Sequence, residues 1–121
     1  MVIGTKTRLI DPDITVFEIS GRLHLGNNLV SIEVAIKRLI DDGARKLVID
    51  VATLNYVDSS GIGMLVGVSG HMEQAGGRVR IAGAADAVAR SFTVVHMDRI
   101  VGLDPDVGSA VLSLGAGGAA A

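Results

Sequence analysis

Two adjacent serines follow an aspartate and precede a glycine in Asp58-Ser59-Ser60-Gly61, and these residue types suit a phosphorylation switch. Asp58 is expected to cap a helix, because its carboxylate can accept hydrogen bonds from the free amides of the first turn. Ser59 would then be the first helical residue, with its hydroxyl in solvent. A phosphate there would add about −1.5 to −2 charge, which the start of a helix tolerates. The predicted switch acts through local charge and does not require refolding.

The residues after the serines bear on whether the motif is a switch or an ordinary helix cap. Taken alone, the four residues favour the ordinary cap, since capping motifs are common. Gly61 and Gly63, however, keep large side chains away and would let a second protein approach closely. Ile62, Met64 and Val68 belong to a helix that is apolar nearly all round. Such a helix is either buried on every side or turns one side to a partner, and both interpretations stay open.

Strands and helices are expected to alternate along the chain, which indicates an α/β fold. A turn at Asp11-Pro12-Asp13 separates two short strands that suit a hairpin. The later apolar run 46–51 suits a central strand buried on both faces. The predicted order is β-β-α-β-α-β-α-β-(α), with a mixed sheet of about four to five strands. We expect one domain over residues 2–114 and a disordered tail of small residues over 115–121.

Composition excludes several classes of function. The 121 residues carry a net charge of −2 and include two Phe, one Tyr and no Trp. Without a basic stripe or an aromatic platform, direct nucleic-acid binding has little support. The absence of cysteine excludes disulfides and thiolate metal sites, and the scattered histidines suggest no metal site and no cofactor. The pattern shows neither a signal peptide nor a membrane span, which favours a cytoplasmic protein.

Asp50, at the end of the buried run, suggests a different phosphoacceptor, the aspartate of a response-regulator receiver domain. Receivers also need an acidic pair after the first strand and a later lysine. Here Asp11 and Asp13 lie in the expected hairpin turn, and no lysine follows Lys46. We therefore expect Asp50 to bond the backbone of the following loop. No nucleophile with a neighbouring base is visible either, so no catalytic residue and no enzymatic activity are expected.

The segments 47–51 and 56–63 together resemble the signature of STAS domains. This family includes the bacterial anti-sigma factor antagonists and the cytoplasmic domains of sulfate transporters. The resemblance extends over about residues 2 to 114, and Asp-Ser-Ser-Gly in this context is similar to the phosphorylatable antagonist branch. It implies that the unphosphorylated chain binds an anti-sigma factor that is also a serine kinase, and so releases a sigma factor. It further implies that the kinase phosphorylates Ser59, which ends binding, and that a metal-dependent serine phosphatase resets the switch.

The loop over residues 21–28 departs from the family pattern. Many antagonists carry acidic residues where Arg22 and His24 stand here, and in the family this loop helps to contact the partner. An alternative therefore stays open, a non-switching STAS scaffold or a regulatory subunit of a transporter or stressosome-like assembly. Modification of Ser60 also stays open. The expected docking face comprises Arg22, Leu23, His24, Ile62, Met64 and Val68.

Overall fold

The computed structural model describes residues 3–10, 12–26 and 28–120, without the side chains of 116–120. Strands and helices alternate through most of this length, as the sequence pattern predicts. The elements are β1 (Gly4–Ile10), β2 (Ile14–Leu23), α1 (Leu29–Asp41), β3 (Lys46–Asp50), β4 (Leu54–Val57), α2 (Ser59–Gln74), β5 (Arg78–Ala82), α3 (Asp86–Val94), a 3₁₀ turn (Met97–Arg99), β6 (Gly102–Asp104) and α4 (Val107–Ala120).

The strands form one mixed sheet in the order β1-β2-β3-β5-β6. β1 pairs antiparallel with β2, as expected for a hairpin, whereas β2, β3, β5 and β6 run parallel. Helices connect the parallel strands, because such strands need a long crossover. β4 lies off this path and pairs in parallel with the last residues of β2. This pairing brings the end of β2 next to the residues that lead into α2.

The sheet is covered on both faces, and β3 shows how. Its Leu47 and Ile49 belong to the larger apolar cluster, which contains the buried faces of α1, α2 and α3. Between them, Val48 belongs to a smaller cluster with Ala110 and Leu114 of α4. A strand buried on both faces reads as a continuous apolar run, which is why the sequence revealed β3 clearly. The helices of the larger cluster carry the candidate site.

Asp50 at the end of β3 has the role that the sequence suggested. Its side chain is buried, and Oδ1 accepts a hydrogen bond of 3.0 Å from the amide of Ala52. This bond ties the strand to the loop that follows it. The expectation that Asp50 bonds the local backbone is therefore confirmed.

Three features differ from the sequence prediction: the number of strands, the end of β2 and the end of α4. The sheet has six strands instead of four to five, because β4 was taken for a loop; it has only four residues, and its central Asn55 and Tyr56 are exposed. β2 also runs on to Leu23, across an irregularity beside Gly21, whose φ of 96° favours glycine. At the C-terminal end of the chain, α4 continues past Leu114 to Ala120. Ala121 lies outside the described residues, and the division of the chain at residue 114 stays a prediction.

Candidate functional site

Asp58 joins the start of α2 to the loop after β2. It is the N-cap residue in extended conformation, and Oδ1 accepts a hydrogen bond of 2.8 Å from the amide of Gly61. Oδ2 accepts a second bond of 3.2 Å from the amide of Leu25. The backbone amide of Asp58 in turn donates to the carbonyl of Leu23 at 3.2 Å. The predicted cap is confirmed, and it also fixes the loop beside the helix.

These bonds set the charge state of the carboxyl group. Partial burial by itself raises the pKa of Asp58, but the amide bonds from Gly61 and Leu25, the nearby His24 and the amide of Ser60 together hold it below its ordinary value. Asp58 is therefore an anion at neutral pH. Its negative charge stands next to Ser59 whether or not the serine is modified.

Removing this carboxylate should weaken the fold in a pH-dependent way. We expect Asp58→Ala to lower the free energy of unfolding at pH 7 by about 1 to 2 kcal/mol, the usual cost of losing an N-cap. Because the folded-state pKa is depressed, the contribution is present above the unfolded-state value of about 4 and disappears as pH falls through the folded-state value. Urea unfolding at pH 7 and at about pH 3 measures this.

A second aspartate provides the control for that measurement. Asp106 caps α4 by accepting from the amide of Ser109 at 2.7 Å, and its pKa is also lowered, chiefly by that bond. In the double variant Asp58→Ala, Asp106→Ala, the pH-dependent loss of unfolding free energy should equal the sum of the losses in the two single variants. The two aspartates cap different helices and share no bonding partner, so their effects should add. An equal gap between Asp58→Ala and wild type at both pH values would contradict the role assigned to Asp58.

Ser59 lies at the mouth of a groove between α2 and α3. It is the first residue of α2 and is exposed, whereas Ser60 is partly buried. The groove encloses about 410 Å³. Its lining residues come from the end of β4, the first turn of α2 and one side of α3: Val57, Asp58, Ser59, Ile62, Ala87, Arg90, Ser91, Val94 and Val95. The candidate phosphoacceptor therefore borders a concave surface to which two helices contribute.

Part of the groove lining is apolar and exposed to solvent. Val94 is 77% exposed and Val95 is 42% exposed, at the end of α3. Neighbouring exposed valines present apolar surface to water, which is unfavourable. A groove lined by such side chains suits an apolar side chain of a partner. Neither Val94 nor Val95 is among the residues predicted for the docking face.

A cluster of one aromatic ring and two basic side chains lies beside the cap at Asp58. The guanidinium carbon of Arg22 is 4.2 Å from the centre of the Tyr56 ring, and His24 meets the same ring edge-on at 6.2 Å between centroids. β2 and β4 place Arg22 and Tyr56 opposite each other in register. The stacked guanidinium keeps its charge while its face is covered. Two of the loop residues predicted for partner contact are therefore brought together on the surface, against Tyr56, which is not among the predicted site residues.

Three of the residues predicted for the docking face are in the core instead. Leu23 and Val68 are fully buried, and Met64 is 5% exposed. Of the two interpretations left open for the apolar α2, the packing interpretation holds for Met64 and Val68, which pack in the larger apolar cluster. We remove these three from the docking face. Ile62 is partly buried and remains at the edge of the groove.

The two glycines of the motif have different environments. A Cβ on Gly61 would lie 2.8 Å from the carbonyl oxygen of Leu23 and 2.8 Å from Cγ2 of Val57, so this glycine lets the helix start pack against the sheet. A Cβ on Gly63 would meet no atom of the described residues within 4 Å. Only Gly63 fits the expectation of a surface left bare for a partner, and Gly67 continues that bare surface one turn later.

Within the described ranges, no three side chains of the His, Cys, Asp or Glu types converge in a way that could hold a metal ion. In the same part of the chain, no helix has both the length and the apolar character needed to cross a bilayer.

The fold of this chain has counterparts among known proteins. The model of the STAS domain family matches residues 6–110. An anti-sigma factor antagonist from Mycobacterium paratuberculosis superposes with a TM-score of 0.84 at 21% identity, covering 93% of each chain. The Bacillus cell fate determinant SpoIIAA in its phosphorylated form gives 0.69 at 20% identity, covering 89% of this chain and 96% of the other.

A third solved structure comes from a different class of protein. A sulfate transporter family protein from Wolinella succinogenes gives a TM-score of 0.70 at 12% identity, covering 88% of each chain. At such identities the likeness establishes the fold alone, and this fold serves both classes. The match of the family model across most of the sequence, together with the shared architecture, shows that this chain belongs to the STAS domain family.

Proposed function

We propose that this chain is an anti-sigma factor antagonist that is switched by phosphorylation of Ser59. In the unphosphorylated state it binds an anti-sigma factor that is also a serine kinase, and this binding releases the sigma factor. The kinase transfers a phosphate to Ser59, which ends binding, and a metal-dependent phosphatase restores the first state. The chain is the substrate of this kinase and has no catalytic role of its own.

The observation that carries the proposal is the position of Ser59. It is exposed on the first turn of α2 and borders the groove between α2 and α3. Ser60 is partly buried and does not line that groove. A kinase needs an accessible hydroxyl, and the more accessible of the two is Ser59. A protein of similar fold, the Bacillus cell fate determinant SpoIIAA, has a solved phosphorylated form.

The charges around Ser59 favour an acidic partner. Arg22 lies on the loop side of the site and Arg90 on the α3 side, while Asp58 has both carboxylate oxygens occupied by backbone amides. A phosphate at the centre of this surface reverses its local charge, and like charges across an interface are strongly unfavourable. We define the docking surface as Ser59, Ile62, Gly63, Arg90, Val94 and Val95 with the neighbouring Arg22, His24 and Leu25.

The assignment of the phosphoacceptor can be tested directly. Incubation of the chain with its cognate kinase and ATP should add one phosphate, which tandem mass spectrometry places on Ser59. Ser59→Ala should remove the phosphate, whereas Ser60→Ala should leave it in place. Phosphate found on Ser60 or elsewhere, with Ser59 unmodified, would overturn the assignment.

A second candidate function is a non-switching scaffold or a regulatory subunit of a transporter or stressosome-like assembly. Arg22 and His24 motivate it, because they stand at positions where the antagonists often carry acids. A sulfate transporter family protein also shares the fold. Light scattering after size exclusion separates the two candidates. A stable large assembly supports the scaffold, and a small protein that exchanges partners on addition of ATP supports the switch.

A further inference from the structure

We propose that Arg90 is the receptor for the phosphate on Ser59 within the same chain, and that this pair closes the groove between α2 and α3. The inference rests on the proposed function, since it concerns the phosphorylated state of Ser59. It adds a residue of α3 to the switch, outside the motif over residues 58–63. It also explains how one modified hydroxyl could close a groove to which both helices contribute.

Arg90 is placed for this role and is not otherwise engaged. It is exposed on α3 and lines the same groove as Ser59. Among the residues that the structure describes, its guanidinium makes no hydrogen bond and no ion pair. The other arginine of the docking surface, Arg22, is stacked on Tyr56 instead. The cation that can turn toward a new anion in the groove is therefore Arg90.

The free amides in the first turn of α2 are not sufficient by themselves to hold a phosphate on Ser59. Anions at a helix N-terminus are held by free amides of the first turn, but the amide of Gly61 already donates to Asp58. The carboxylate of Asp58 also adds a negative charge beside the phosphate. A cation from another element would offset that repulsion. An arginine does so best, because its planar donors match two phosphate oxygens at once.

The pair would change the docking surface in two ways. The phosphate adds negative charge at the mouth of the groove, and Arg90 is withdrawn from any acidic group of the partner. The guanidinium would also occupy part of the groove that Val94 and Val95 line. Phosphoserine should therefore lower partner affinity more than Ser59→Asp does, because a short carboxylate carries less charge and reaches less far into the groove.

The test uses the full chain with phosphoserine placed at position 59 during translation, so that no kinase is needed. Phosphorus NMR follows the titration of the phosphate in this protein and in its Arg90→Gln, Arg90→Lys and Arg38→Gln forms. Arg38 is exposed on α1 and does not line the groove, so its change removes the same charge elsewhere. We expect the phosphate to titrate at lower pH in the protein that keeps Arg90 than in its Arg90→Gln form. The Arg90→Lys form should lie between them, and Arg38→Gln should leave the titration unchanged.

The rate at which a phosphatase removes the phosphate is an independent test of its pairing with Arg90. Alkaline phosphatase should release it about threefold faster from the Arg90→Gln protein, because the paired phosphate is shielded. Equal titration and equal release in the Arg90 and Arg90→Gln proteins would overturn the inference. That result would leave the proposed function standing, whereas a kinase that fails to modify Ser59 would remove the proposed function without touching this measurement.

Discussion

Ser59→Asp should weaken binding to the anti-sigma factor proposed as the partner by about 100-fold, which corresponds to about 2.7 kcal/mol. The new carboxylate would stand at the mouth of the groove beside Asp58, on a surface whose arginines suit an acidic partner. Like charges brought together in an interface cost several kcal/mol, and a single exposed carboxylate realises part of that cost. Titration calorimetry with the purified partner, at fixed ionic strength, measures the change.

Two variants make this result specific to the charge at Ser59. Ser59→Ala removes the hydroxyl without adding charge, and it should bind within about threefold of wild type because a single exposed hydroxyl contributes little. Ser60→Asp adds the same charge one residue later, where the side chain is partly buried and outside the groove, and it should change affinity far less than Ser59→Asp. Equal binding by Ser59→Asp and Ser59→Ala would contradict the electrostatic switch.

The comparison of affinities requires that these variants have equal stability. An aspartate at the first position of a helix interacts favourably with the helix dipole, so Ser59→Asp should unfold at the same temperature as wild type or slightly above it. A loss of affinity without a loss of stability therefore identifies an effect at the docking surface.

The parts of this fold that sequence predicts well are those with a local cause. β3 is buried on both faces and reads as an apolar run, and the cap at Asp58 follows from a carboxylate placed before an apolar helix. The four residues of β4 carry no such pattern, since their strand character comes from pairing with the far end of β2. Long-range pairing leaves little trace in a short segment.

The candidate site was predictable only where it is continuous in sequence. Asp58 and Ser59 lie next to each other in the chain, whereas Arg90, Val94 and Val95 reach the same groove because α3 packs beside β4. The apolar character of α2 also could not separate packing from binding, and the structure resolves it for Met64 by burying that side chain. Spatial neighbours on another helix have no sequence signature of their own.

Gly61→Ala should destabilise the domain by about 2 kcal/mol, in the range seen when extra atoms are forced into a packed core. The added methyl would lie 2.8 Å from the carbonyl oxygen of Leu23 and 2.8 Å from Cγ2 of Val57, so the start of α2 would have to move away from the ends of β2 and β4. The same movement would lengthen the bond from the Gly61 amide to Asp58. Urea unfolding monitored by circular dichroism measures the loss.

Gly63→Ala is the matched control, since it makes the same chemical change two residues later in the same helix. Its methyl would meet no atom within 4 Å in the part of the chain that the structure describes, and replacing an exposed helical glycine by alanine usually stabilises by about 0.5 to 1 kcal/mol. The two variants should therefore differ in opposite directions from wild type. Equal stabilities would mean that Gly61 is not a packing residue. If Gly63→Ala raises stability but weakens partner binding, the bare surface after Ser59 is retained for docking at a cost in stability.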